Sequence, residues 1–131
     1  MDFRLAPEEK MILETVRDFI RTELTPLEGA QQEAHLAGRG HEFPDEPTTR
    51  RLQHKAKDLG LWGIATPKEY GGADLSTVLN AMIAMEMGRC LVSFQFPGRA
   101  DNILFLANDR QKERYLIPTL EGERLSCFAL T

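Results

Sequence analysis

Two cysteines and one tryptophan in 131 residues, aromatics at 8%, and no apolar run near the length of a bilayer set the first limits on this chain. Cys90 and Cys127 cannot build a disulfide framework, and neither has a second cysteine or a histidine at metal-ligand spacing. They read as reduced thiols of a cytoplasmic protein. A membrane-spanning helix needs about 20 consecutive apolar residues, and none is present. The N-terminus lacks the cationic, apolar pattern of a secretory signal. Sixteen basic against 20 acidic residues give a net charge of -4 with the signs interspersed, so no concentrated basic face for nucleic acid is expected. Self-contained catalytic signatures are missing as well: there is no glycine-rich phosphate loop, HExxH, paired CxxC or nucleophile elbow.

What remains is a chain of ordinary composition, 42% hydrophobic and 27% charged. At this length a single domain buries roughly two-thirds of its unfolded surface. Its patterning is helical. Pro7-Glu8-Glu9 places a proline and two carboxylates where a first turn favours them. Ile12, Val16, Phe19 and Ile20 then recur at helical spacing. Pro26 ends this helix or starts the next, and residues 27–37 carry a shallower stripe. Breakers from Gly38 to Pro47 mark a loop. A further helix is expected from about Thr48, as cap, to Leu59, closed by Gly60 in a left-handed conformation.

Leu61 to Ala65 forms an apolar connector, and Thr66-Pro-Lys-Glu-Tyr-Gly-Gly72 a polar turn. From about Ser76 to Cys90 the helix is apolar nearly all round, which predicts burial on most sides. Asn102 to Ala107 reads as a short apolar helix. Asp109 to Leu120 is amphipathic, with Pro118 closing or kinking it. The residues after Arg124, Cys127-Phe-Ala-Leu-Thr131, read as the opening of a β-strand cut short. The fold class is all-α, an orthogonal-type domain of about six helices over residues 1–124, with 125–131 beginning a strand.

Few side chains suggest chemistry. His35, His41 and His54 lie on polar segments and suit solvated surface positions. Glu86, amid Met82, Ile83, Met85 and Met87, is the best candidate for a perturbed acid, against the simpler reading of a pair with Arg89 on the same helical face. The methionines could face a greasy ligand or pack the core. Phe94 and Phe96 could line a ligand channel or fill a gap between helices.

Three stretches in order resemble one family. MDFRLAPEEKMILETVRDFIRTEL resembles the first helix of the acyl-CoA dehydrogenases; LGLWGIATPKEYGGADLS at 59–76 is similar to their inter-helix segment with its paired glycines; NDRQKERYLIPTLEGERLSCFALT resembles the approach to their flavin-binding strand. The resemblance implies the N-terminal helical domain of a three-domain FAD enzyme, with 125–131 starting the middle β-domain. By position, Phe128, Leu130 and Thr131 match flavin-contacting residues. Phe94, Gln95 and Phe96 match a wall of the acyl pocket.

The family's catalytic glutamate belongs to its C-terminal domain, so no catalytic residue and no metal ligand is carried over to this chain. The chemistry implied is α,β-dehydrogenation of an acyl-CoA thioester, as one part of a homo-oligomer that passes electrons to an electron-transfer flavoprotein, with these residues alone inactive. A related acyl-CoA oxidase or flavin monooxygenase is the alternative within the superfamily. A free-standing helical binding or dimerisation module, self-associating through its apolar strand, is the alternative outside it.

Overall fold

A computed structural model describes residues 4–94, 96, 100 and 102–124, and among them the structure is helical with no strand. The expected strand and its residues Phe128, Leu130 and Thr131 lie outside the described residues, as does Gln95.

The first helix, α1 (Pro7–Phe19), starts with Glu9 Oε2 accepting a hydrogen bond from the Ala6 N–H at 2.9 Å. It buries Leu13, Val16 and Phe19. Helical backbone then continues without a break through a π-turn (Ile20–Leu24) and a 3₁₀ turn (Thr25–Leu27) into α2 (Glu28–Leu36). Pro26 is the reason for the irregularity. Its ring removes one N–H donor and crowds the carbonyl a turn earlier. A widened turn, in which Thr25 N–H reaches back to the Ile20 carbonyl, accommodates both effects. The same solution recurs before Pro118: a π-turn (Lys112–Leu116) joins Asp109–Gln111 to Ile117–Leu120, so residues 109–120 form one helix. Pro118 neither closes nor sharply breaks it.

The third helix, α3 (Glu46–Asp58), begins two residues earlier than the sequence suggests. Its cap is Asp45 rather than Thr48: the Asp45 carboxylate accepts the Thr48 N–H at 3.0 Å. Pro47 therefore sits in the first helical turn, where a missing N–H is harmless, and is not part of the loop. At the other end Gly60 has φ +68°, and Leu61 N–H returns to the Ala56 carbonyl at 2.9 Å, the closure expected of a left-handed glycine.

The fourth helix, α4 (Thr77–Met87), departs from expectation most clearly. Only Leu79 and Ile83 are buried on it, and Met85 is 65% exposed. An all-round apolar pattern predicts a central helix, but here one face meets the core and the opposite one is open. Around the buried face, Leu13, Val16, Phe19, Leu24, Leu52, Ala56, Leu61, Val92, Phe94 and Phe96 complete the main core.

A second, smaller cluster of Ala100, Leu116 and Leu120 joins the 109–120 helix to Tyr70 and to α5 (Asn102–Phe105). Trp62 ties the two together. Its indole N–H donates to the Leu120 carbonyl at 2.9 Å, while Lys57 Nζ lies 4.8 Å from its ring and donates to the Glu121 carbonyl. A Cβ on Gly122 would meet the indole at 2.4 Å, so glycine is required both for this approach and for its own φ of +81°.

Candidate functional site

One flank of α4 lines a groove of about 620 Å³. One side is α4 itself, whose Asn80, Ala84 and Gly88 recur at four-residue intervals, with Ile83 and Met87 between them. The other side is the non-helical stretch of residues 90–94 together with Phe96. Small side chains on the helix leave the space between them unfilled.

Three contacts hold α4 at this angle. Ser76 caps its N-terminus, accepting the Leu79 N–H, and donates its hydroxyl to Glu9 Oε1 of α1 at 2.6 Å. Leu79 and Ile83 are buried against the α1 side of the core. Near the C-terminal end, Glu86 Oε1 accepts from Arg17 Nε and Nη2 at 2.9 and 2.7 Å, and its Oε2 accepts from Arg89 at 3.0 Å. The pair expected with Arg89 is present, and Arg17 of α1 is the second and closer partner. Hydrogen bonds from Arg17 hold the Glu86 carboxyl below the usual carboxylate range, against the opposing effect of partial burial. Glu86 is therefore a fixed anion that clamps α4 to α1, not a proton donor poised near neutrality.

Before α4, the chain turns through Gly71 and Gly72. Gly71 takes φ +81° with open space around it, whereas a Cβ on Gly72 would lie 1.9 Å from the Thr66 carbonyl oxygen. That carbonyl accepts the Asp74 N–H, and Ile64 accepts the Leu75 N–H. The two glycines thus serve different needs, conformation at one and close backbone approach at the other.

Phe94 and Phe96 meet in the structure. With Phe19 they form a cluster of three rings whose centroids are 5.3 to 5.6 Å apart, with Phe94 and Phe96 edge to face. Each is about nine-tenths buried, and both also line the groove. The packing against Phe19 matches the reading of these rings as filler between helices. Nearby, Leu91 N–H donates to Glu28 Oε1, and burial pushes the Cys90 thiol upward, with the Glu28 carboxylate adding to the effect. Among its described residues the groove lining holds no other ionisable side chain. Such a surface can bind an apolar group and keep water from it, but has nothing to move a proton. His35, His41 and His54 are exposed and away from it.

Arg17 is the functional residue that periodicity alone does not reveal. The available signal was Glu86 itself: an acid flanked by methionines and isoleucine demands a cation, but sequence spacing points only to Arg89.

The groove-bearing helices coincide with a known domain. The family profile described as "Acyl-CoA dehydrogenase, N-terminal domain" matches residues 6–123. This chain belongs to the acyl-CoA dehydrogenase family. It is 29% identical to (R)-benzylsuccinyl-CoA dehydrogenase of Thauera aromatica, over all of this chain and 35% of that protein. It is 32% identical to acryloyl-CoA reductase (NADH) of Anaerotignum propionicum, over all of this chain and 32% of that protein. With an acyl-CoA dehydrogenase of Bacillus subtilis (strain 168) it shares 30% identity, over 95% of this chain and 31% of the relative. The chain thus spans about a third of the length of these acyl-CoA dehydrogenase relatives. No solved structure matches it significantly. Among the described residues of this family member, no helix is long and apolar enough to cross a membrane, and no group of His, Cys, Asp and Glu is arranged to hold a metal.

Proposed function

We propose that this chain is the N-terminal part of an FAD-dependent acyl-CoA dehydrogenase, and that the α4 groove forms one wall of its acyl site. The observation that carries the reading is an apolar groove whose described lining holds no ionisable group apart from a protonated thiol, on a domain of this family. Its contribution is to hold the acyl chain and exclude water, which strengthens the polar contacts made to the thioester elsewhere. The flavin, when bound, supplies hydride chemistry at the β-carbon. Phe128, Leu130 and Thr131 are proposed to contact it, and Gln95 to join Phe94 and Phe96 at the acyl wall. The catalytic base is assigned to a later domain, so the 131 residues alone are expected to be inactive. Cytoplasmic location, homo-oligomeric assembly and an electron-transfer flavoprotein as acceptor belong to the same proposal.

The test is to purify the full-length protein and measure its flavin spectrum and acyl-CoA-dependent reduction of an electron-accepting dye. Bound flavin with thioester-dependent turnover supports the reading; a colourless protein inert to acyl-CoA overturns it. A second direction has support of its own, because the acryloyl-CoA reductase relative is as similar as the dehydrogenases. The same wall serves reduction of an unsaturated thioester equally well. Assays run from both substrate and product sides separate the two.

A further inference from the structure

Among the described residues, the arginines other than Arg4 fall into two groups. Arg17, Arg21, Arg39, Arg50, Arg51 and Arg89 each have a carboxylate within 4.0 Å. Arg110, Arg114 and Arg124 have none among the described residues, although Asp109, Glu113, Glu121 and Glu123 are close in sequence.

These arginines are gathered by structure. Arg110 and Arg114 are four residues apart on the 109–120 helix, so they project from one face. The Gly122 turn brings Arg124 back beside them: the Arg114 and Arg124 guanidinium carbons lie 5.5 and 5.9 Å from the Tyr115 ring centroid. Contact with the Tyr115 ring keeps both guanidiniums ordered while leaving their in-plane N–H groups available. Beside them is a concavity of about 280 Å³ lined by Asn108, Arg110, Gln111, Arg114 and Tyr115.

The two amides complete the donor set. Asn108 Oδ1 accepts the Gln111 N–H at 3.0 Å, and Gln111 Oε1 accepts the Asn108 N–H at 3.2 Å. This reciprocal capping box occupies both amide oxygens, which leaves both NH₂ groups as free donors. Among the described residues the wall of the concavity therefore holds the Arg110 and Arg114 guanidiniums, two amide donors and a phenol, and no carboxylate, while Arg124 stands beside it against the Tyr115 ring. These donors suit an oxyanion and disfavour a cation.

We propose that Arg110, Arg114 and Arg124 around Tyr115 bind the phosphate group of a small molecule. A phosphate suits the site because forked guanidiniums match its oxygens in bidentate fashion. The small concavity favours a discrete group over an extended acidic peptide. The site lies on the 109–124 segment, shares no lining residue with the α4 groove, and stands independently of the acyl-site reading.

The experiment is calorimetric titration of the 131-residue chain with inorganic pyrophosphate at low and at physiological salt. Saturable binding that weakens with salt is expected. R110Q/R114Q and R124Q should each lower affinity about tenfold or more, the effect of losing a charge-assisted pair. R21Q, a control at an exposed arginine already paired with Asp18, should leave it unchanged. None of the variants removes a buried contact, so their circular dichroism melts should match the parent. Parallel titrations with coenzyme A and with anionic lipid vesicles distinguish a nucleotide phosphate from a headgroup; an arginine-dependent response to either supports the site. No saturable response to pyrophosphate, equal affinity in the arginine variants, or tighter binding of a glutamate-rich peptide would overturn it.

Discussion

Substituting alanine at Gly71 and at Gly72 should have very different consequences, although the residues are adjacent. At Gly71 the added methyl meets nothing within 4 Å, and the penalty is confined to holding φ at +81°. A left-handed conformation costs a residue with a Cβ about 1–2 kcal/mol. At Gly72 the methyl would lie 1.9 Å from the Thr66 carbonyl oxygen, 2.4 Å from its carbon and 2.5 Å from Thr66 Cβ. Two of these atoms are backbone, so no rotamer change relieves the clash. The turn must open, breaking the bonds from Asp74 to Thr66 and from Leu75 to Ile64. Thr66 is 2% exposed, so its freed carbonyl gains little from water. Two lost hydrogen bonds, one leaving a buried acceptor, come to about 3–4 kcal/mol. Unfolding entropy for 131 residues is about 0.3 kcal/mol/K, so G72A should melt ~10 °C or more below the parent and G71A about 3–6 °C below. Thermal melts followed by circular dichroism, with urea titrations in support, measure both. Equal losses for the two variants, or a G72A melt within a few degrees of the parent, would refute the steric account.

Three further outcomes are expected. Glu86→Gln should cost about 1 kcal/mol near neutral pH, discounted because Arg17 and Arg89 are substantially exposed. The Glu86 pKa is depressed by folding, so its contribution is complete above the ordinary carboxylate value of about 4.3 and lost as pH falls through the lower folded value. Urea titrations should therefore show parent and E86Q differing at pH 6–7 and converging below pH ~4; a gap independent of pH contradicts the clamp. Trp62→Phe keeps most of the ring but deletes the N–H bonded to Leu120 and should cost about 1–2 kcal/mol by the same measurement. In the full-length protein, Ala84→Phe projects bulk into the groove and should raise KM for acyl-CoA at least ~10-fold with a smaller effect on kcat; an unchanged KM would remove this groove from the acyl site.

Much of the helical layout was legible because it rests on local chemistry. Prolines, carboxylates and caps near helix starts, and Gly60 at an end, act within a few residues, and the structure realises them almost where periodicity puts them. Asp45 displaced Thr48 as cap by three residues because both are competent acceptors and the downstream Pro47 suits the first turn. The π-turns were not legible: each results from a proline meeting a helix that tertiary packing keeps continuous. Pairings such as Arg17 with Glu86, 69 residues apart, or Trp62 with Leu120, 58 apart, have no local signature. Sequence left Phe94 and Phe96 open between channel wall and filler; the structure packs both rings against Phe19 and places them at the edge of the groove.

The misjudged helix is the most informative of these differences. An apolar pattern all round α4 predicts burial in a single core, yet only Leu79 and Ile83 are fully buried and Ala81, Ala84 and Met85 remain exposed. Part of the pattern is accounted for by the groove, which Ala84 and Met87 line, whereas Ala81 and Met85 line neither core nor groove. Asn80 is spent on the Leu75 carbonyl and Glu86 on Arg17, so neither adds an unpaired group near the groove. Ser76 and Glu86 fasten the two ends of the helix to α1 while the middle is held by packing. A wall fixed at both ends and small along one face keeps its concavity without a ligand to hold it open. Under the proposed function, that preorganisation is what these residues contribute to the acyl site.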